Sequence, residues 1–546
     1  PSGEISTWKK NFFFYGTCVP SSCTADDVLL AINDILGGIP HNGTVTASLD
    51  PATCQTKQTI QDYKTQTPLD SFVKFFFSGL AILAILSTAY DFILYRTADT
   101  SKSTGLIERI FMCFSARKNV PDLIIPKRTT EGFDLIFGTR TLFTILVVYG
   151  HRWRMTVQGP LHDVSPFEQK AREFNFMTTC LIVVNSFLSI SGFLTGYLFY
   201  PELEKREEKN KLSPLIIVQP IIYRILRFTP LYAAVILLNL SVLPKIGDGP
   251  LWPTTIGKEA ARCQSTWWTN LLYINNYYRA DDMCIYQSWY LATDLQLFLL
   301  AMVLLYITKK NARLGHYLFG LLIVGSMVWQ GVLTAINKDI GFLPVDEQTL
   351  RDIPNTFYYI TYYIPTHFRM APYLLSTLVG YCLYKLKDTP VSLSRFQTNL
   401  VGMLLFAFIM AVKESANFIA LLDFGYRNNE TANGLYAALH SPLWSLGFSL
   451  IIALNFRKTF DIAVNVFNSY PFLMINKLSF SVYLIHSFLH SFEYASLRSP
   501  KVISRLDEYW LSAGDIVYTH LFAFVLCLLV EMPSSKLVKI LFSFTR

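Results

Sequence analysis

Runs of apolar residues recur along the chain at lengths close to what a bilayer demands. They fall at about 72–94, 134–156, 176–199, 216–243, 290–308, 315–336, 368–386, 398–420, 435–455, 473–490 and 514–532, separated by polar and basic stretches. About 20 residues of helix span a hydrocarbon core, and a helix satisfies its own backbone hydrogen bonds there. The pattern predicts an all-α polytopic membrane protein with about eleven transmembrane helices. Residues 1–68 break the pattern, being rich in Asn, Thr, Asp and Pro. They read as a small extramembrane domain, with a helix over Ala25 to Ile35 capped by Thr24. The expected organisation is this N-terminal domain over 1–68, a first transmembrane helix over 72–95, a linker over 96–131, and a ten-helix membrane domain over 132–536.

Composition agrees. Of 546 residues, 52% are hydrophobic and 16% charged, with 42 Phe and 30 Tyr. Soluble domains carry roughly 25% charge, so a soluble globular enzyme is excluded. The net charge of +8 does not point to nucleic acid, because the basic residues cluster between apolar runs, as in cytosolic loops. Arg96, Lys102, Arg109, Arg117, Lys118, Lys127 and Arg128 follow the first run, which puts 96–131 in the cytosol and the N-terminal domain in the lumen or outside the cell. Alternating from there, Lys205–Lys211, Lys309–Arg313, Lys385–Lys387 and Arg457-Lys458 fall in the cytosol. The sequons at Asn42 and Asn429 fall outside, as glycosylation requires.

The chain opens on Pro1 without a signal-peptide pattern, so either a leader was removed or the sequence starts late. Cys18, Cys23 and Cys54 crowd the N-terminal segment, and Cys263 and Cys284 share one polar loop among nine cysteines. This grouping implies an oxidising compartment. A Cys263–Cys284 bridge is expected, and one from Cys54 to either Cys18 or Cys23. Free thiols suit Cys180, Cys382 and Cys527, which lie inside apolar runs.

Ionisable groups inside apolar spans are costly and mark candidate functional sites. One run carries Arg140 near its cytosolic end and His151 about 16 Å further along the axis. Burial favours the neutral form of an imidazole, which suits a general base. The alternative is a histidine satisfied between helices and a snorkelling arginine. Arg224 and Arg227 share a helix face at the start of the fourth run. With Arg140 they can hold phosphates of an anionic cosubstrate, or serve as a positive-inside flank. Asp294 and Gln296 sit inside the fifth run. Asp294 can orient an imidazole or pair with an arginine, Arg369 being one option. Trp289 and Tyr290 beside it read as interface aromatics. His486 and His490 stand at i,i+4, a metal-ligand spacing, but no third ligand is evident and no metal is expected. Gly192 and Gly196 form a GxxxG, read as a site of close helix packing.

These blocks together resemble the acyltransferase 3 family, in the animal branch similar to the nose-resistant-to-fluoxetine proteins. Tyr15 to Cys23 looks like the end of that branch's luminal Cys-rich domain. The Arg140-x10-His151 spacing is similar to the family's Arg/His motif. Tyr223 to Pro230, Asn270 to Tyr277, Trp289 to Gln296, Arg369 to Tyr373 with Gly380-Tyr381, Leu478 to His486, and Glu531-Met532-Pro533 resemble its later blocks. Asn185-Ser186 departs from the family's usual Asp-Thr and removes a carboxylate that could pair with an arginine or orient a histidine.

The resemblance implies transfer of an acyl group from cytosolic acyl-CoA, acetyl or longer, to a hydroxyl of a lipid or other small acceptor reached from the lumen or the bilayer. His151 would act as the base, aided by Asp294. Arg140, Arg224 and Arg227 would hold the CoA, and Trp289, Tyr290, Arg369 and His486 would complete the site. It implies residence in the endoplasmic reticulum or plasma membrane, with membrane lipids as partners. It also leaves a rival, since animal members of the branch are associated with uptake and distribution of lipids and drugs: a carrier of lipid, sterol or drug that keeps the fold without catalysis. A polar path from the arginines to His151 would favour transfer.

Overall fold

The computed structural model describes residues 18–20, 22–38, 46–49, 51–96, 105–125, 132–161, 176–343, 353–390, 393–421, 429–457, 466–467, 469–502 and 504–543. Asn42 and Tyr15 to Thr17 lie outside them. Among the described residues, nine helices are long and apolar enough to cross a membrane, or ten if the bent pair Tyr470–Asn476 and Ser479–Ala495 is one span. The chain is thus an all-helical polytopic membrane protein. The expected span at 368–386 is a 16-residue helix, Met370–Lys385, about 24 Å long at 1.5 Å per residue. A π turn at Tyr359–Tyr363 and a 3₁₀ turn at Thr366–Phe368 precede it. These turns sit within the bundle, with Tyr362 and Phe368 buried, where irregular backbone is tolerated.

The helices that matter below are α1 (Ala25–Gly37), α2 (Pro68–Arg96), α3 (Phe133–Gln158), α4 (Phe176–Glu208), α5 (Val218–Leu237), α6 (Lys258–Leu271), α7 (Trp289–Lys310), α8 (Ala312–Ile336), α9 (Met370–Lys385), α10 (Arg395–Leu421), α11 (Glu430–Arg457), α12 (Ser479–Ala495) and α13 (Arg505–Leu526). Thr24 caps α1 in a reciprocal box with Asp27, as its sequence signals. Helix α2 is peripheral: Phe72, Phe75, Ile82, Ile85, Leu86 and Ile93 face outward. A buried carboxylate holds it at each end. Asp70 pairs with Lys245 and accepts from Ser241 Oγ at 2.7 Å; Asp91 accepts from Arg117 at 2.8 Å and Ser115 at 2.8 Å. The N-terminal segment docks at the Asp70 end, through Gln55 to the Gly249 carbonyl at 2.7 Å and Lys64 to Asp248 at 3.0 Å. Lys64 holds the half-buried Asp248 carboxyl below its usual range.

Inside the bundle α4 runs against α9 and α7, while α3 packs against α4, α12 and α13. Gly192 and Gly196 on α4 and Gly380 on α9 make the first contact possible: a Cβ on any of them would strike the facing backbone carbonyl of Tyr373, Thr377 or Phe193. The GxxxG is therefore a packing device. Lys477, at the 73° bend before α12, donates to the carbonyls of Asp122 and Ile125, the latter at 2.8 Å. Lys536 reaches Asp122 at 2.9 Å. Residues 105–125 thus close one end of the bundle, hereafter the basic end, and the N-terminal segment lies at the opposite end.

Cys263 on α6 is bonded to Cys284, and both are buried. This ties α6 to the segment that leads into α7. The expected bridge from Cys54 is not formed. Cys18, Cys23 and Cys54 are thiols, and Cys23 and Cys54 each close a separate local turn, donating their amides to Pro20 and Pro51.

Candidate active site

Helix α3 lays one face along the centre of the bundle. Arg140, Thr144, Val147, His151 and Arg154 recur at intervals of three and four residues, the spacing of a single helical face, and all five line one cavity. Arg152, turned away from it, bonds Glu493 at 2.7 Å and Asp515 at 2.6 Å behind the site. Its charge is thereby answered at 2% exposure.

The cavity has a volume of about 910 Å³. At the basic end its wall includes Tyr223, Lys477 and Lys539; at the other end it includes Arg154, Tyr286 and Ile353. Between them stand Phe187, Phe228, Phe298 and Phe480. Arg140, Arg224 and Arg227 therefore open onto the same space as His151, with an aromatic and aliphatic stretch between.

His151 holds its Nδ1 2.5 Å from the Tyr286 hydroxyl, with the two rings stacked at 5.5 Å. The His486 ring meets it edge-on at 4.8 Å. His486 Nδ1 bonds the Val482 carbonyl at 3.2 Å, and His490 follows at 5.7 Å between rings. His490 Nε2 lies 3.2 Å from Asp515. With Nδ1 engaged by Tyr286, His151 Nε2 is left without a hydrogen-bond partner among the described residues, available to a ligand.

The three arginines expected to act together divide into two kinds. Arg224 is ion-paired to Asp294 and donates to Ser191 Oγ at 3.0 Å. Arg140 and Arg227 have no carboxylate within ion-pair distance among the described residues, so their guanidinium groups remain for an anionic ligand. Glu531, on a π turn at Cys527–Glu531, also lines the cavity and accepts from Ser481 Oγ at 2.5 Å.

Two further expectations are corrected. Asp294 neither touches the imidazole nor pairs with Arg369, because Arg224 occupies it first. Arg369 instead donates to Asn185 Oδ1 at 3.0 Å and to the Tyr363 carbonyl at 2.8 Å, and lies 4.5 Å over the Tyr363 ring. Asn185 is thus the residue facing an arginine. Trp289 and Tyr290 are not interface aromatics: both line the cavity, and Trp289 is buried beside Arg369 and Tyr363. His486 falls beside His151 but is fully buried behind it and does not line the cavity. Asn429 is exposed and caps α11 through the Ala432 amide at 3.0 Å.

The sequence reading missed Tyr286, Arg154, His490 and Glu531 as neighbours of the site. Arg154 carried a usable signal, since it lies three residues beyond His151 on the same helix. Tyr286 lies in a short 3₁₀ turn before α7, and no local pattern marks it.

Residues 136–531 match the family described as the acyltransferase domain, acyltransferase 3 type. A Caenorhabditis elegans protein, Nose resistant to fluoxetine protein 6, is 23% identical over 564 aligned residues that take in 97% of this chain and 66% of that protein. The chain therefore spans just under two thirds of that relative's length. Regulator of hypoxia-inducible factor 1 of the same organism is 22% identical over 401 residues, covering 69% of this chain and 74% of that protein. No solved structure matches.

Proposed function

The chain belongs to the acyltransferase 3 family, and we propose that it moves an acyl group from acyl-CoA, entering at the basic end, to a hydroxyl of a small or lipid acceptor. The observation that carries this reading is one cavity that joins His151 to Arg140 and Arg227, neither of which has a carboxylate partner among the described residues. Guanidinium groups suit the phosphates of CoA because their fork geometry matches phosphate oxygens. The aromatic stretch between suits the pantetheine arm and an acyl chain.

In the step proposed, Tyr286 holds His151 by Nδ1, leaving the Nε2 lone pair to take the acceptor's hydroxyl proton. The acceptor oxygen bonds to the thioester carbon, the carbon–sulfur bond breaks, and the departing thiolate receives the proton from Nε2. No net proton is gained or lost. The membrane orientation proposed has residues 105–125 in the cytosol and the Cys263–Cys284 loop outside, in the endoplasmic reticulum or plasma membrane, with bilayer lipids as neighbours.

A second reading, a lipid or drug carrier, draws on two features. The middle of the cavity is walled by Phe187, Phe228, Phe298 and Phe480, which can house a lipid chain without reaction. Asn185 also leaves Arg369 facing an amide in place of the family's carboxylate. A density map of the full chain with acetyl-CoA separates the readings. CoA phosphates at Arg140 and Arg227 support transfer; lipid filling the cavity, with no CoA density at millimolar acetyl-CoA, supports the carrier.

A further inference from the structure

Arg154 differs from the other buried arginines near the site. Arg152 has two carboxylates, and Arg369 has an amide oxygen and a carbonyl. Arg154 is 7% exposed, and its Nε and Nη1 have no hydrogen-bond partner among the described residues. Its guanidinium stands 4.3 Å over the Tyr286 ring, a cation–π contact that stabilises the charge but takes none of those N–H groups. The nearby C-terminus of α3 attracts a cation, yet its carbonyls do not accept from Nε or Nη1. Glu259 is the neighbouring carboxylate among the described residues. It is committed to the Ile285 amide at 2.7 Å, and burial pushes its carboxyl up, toward the uncharged form. A buried guanidinium left with free donors is costly, and this one forms part of the cavity wall.

Its position gives that cost a use. Arg154 lies one helical turn beyond His151, about 4.5 Å along the axis, and farther from Arg140. The Tyr286 side chain links the two, with its ring under Arg154 and its hydroxyl on His151. We propose that Arg154 binds an anionic group, a phosphate or carboxylate, on the acceptor, and so holds the acceptor hydroxyl over His151 Nε2. This rests on the acyl-transfer reading for the identity of the ligand as acceptor. The cavity then has a cationic anchor at each end, the donor held by Arg140 and Arg227 and an acidic hydroxyl compound held by Arg154.

The test uses the full chain in neutral phosphatidylcholine nanodiscs without acyl donor, and measures equilibrium binding of matched probes. Glycerol 3-phosphate against glycerol is the soluble arm, and phosphatidylglycerol against diacylglycerol is the lipid arm. One anionic probe should bind tighter than its neutral partner, and the arm that does so identifies the source of the anion. Arg154→Gln should weaken that binding roughly ten- to a hundred-fold, the range for a lost charge-assisted hydrogen bond, without changing the neutral probe. Arg154→Lys should keep part of the preference and guards against a folding defect. Equal binding of anionic and neutral probes in both arms, or an unchanged preference in Arg154→Gln, overturns the proposal. Because no donor is present, the two claims fail separately. A binding preference without turnover on adding acetyl-CoA breaks only the transfer reading; turnover without preference breaks only the Arg154 site.

Discussion

The hydroxyl of Tyr286 stands 2.5 Å from Nδ1 of His151, although 135 residues separate the two in the chain. The first comes from a turn tied down by the Cys263–Cys284 bond, the second from the central helix α3. Tyr286 fixes which imidazole nitrogen faces the cavity, so it acts as a positioning residue. Tyr286→Phe keeps the ring stacking and removes the hydrogen bond. It should lower turnover about 10- to 100-fold while leaving the KM for acyl-CoA unchanged. Steady-state kinetics check this, and an equal loss in acyl-CoA affinity would assign Tyr286 to donor binding instead.

Arg224 and Asp294 answer each other's charge beside the cavity. Asp294→Asn should lower stability by about 1–3 kcal/mol, because it leaves the half-buried Arg224 guanidinium without its carboxylate. The double variant with Arg224→Gln should recover much of that loss. Thermal unfolding of the four proteins in detergent measures the coupling, and additive losses would mean that the pair is not an energetic unit.

How much of this was legible in the sequence depends on the range of each interaction. The helices announced themselves through local apolar runs, and the face carrying Arg140 and His151 through spacing on one helix. The GxxxG, the Thr24 cap and the Cys263–Cys284 bond were also local enough to read. The partner of Asp294 was not. Arg224 and Arg369 both offered a cation, and the choice rests on how α5, α7 and α9 cross. Trp289 looked like an interface residue because aromatics near a span end usually are, and only the turns at 359–368 reveal that the end is buried. His490 and Asp515 lie on different helices, and nothing in either segment names the other.

The Cys263–Cys284 bond closes a separation of 21 residues, worth about 3 kcal/mol by loop-closure entropy. The Cys263→Ser, Cys284→Ser double variant should unfold at lower temperature by a corresponding amount, and should lose turnover through the loosened Tyr286 turn. A thermal transition identical to wild type would show that the turn is held without the bond.

Orientation can be read on two exposed positions. Asn429 should carry glycan and lose it in Asn429→Gln, seen as a mobility shift after glycosidase treatment. A cysteine introduced at Lys118 should be labelled only from the cytosolic side. Labelling from outside in intact cells would reverse the topology and, with it, the side from which donor enters.

The most direct measurement is acyl-CoA turnover and binding by purified wild type, His151→Ala and Arg140→Ala across acetyl and longer acyl donors. The account predicts that His151→Ala loses about 10²–10⁴ in rate with acyl-CoA binding retained. Arg140→Ala should bind acyl-CoA more weakly, and Arg140→Lys should restore binding only in part because a point charge lacks the guanidinium fork. Full activity in His151→Ala would contradict the catalytic assignment. Saturable lipid binding with no turnover by wild type on any donor would contradict acyl transfer itself.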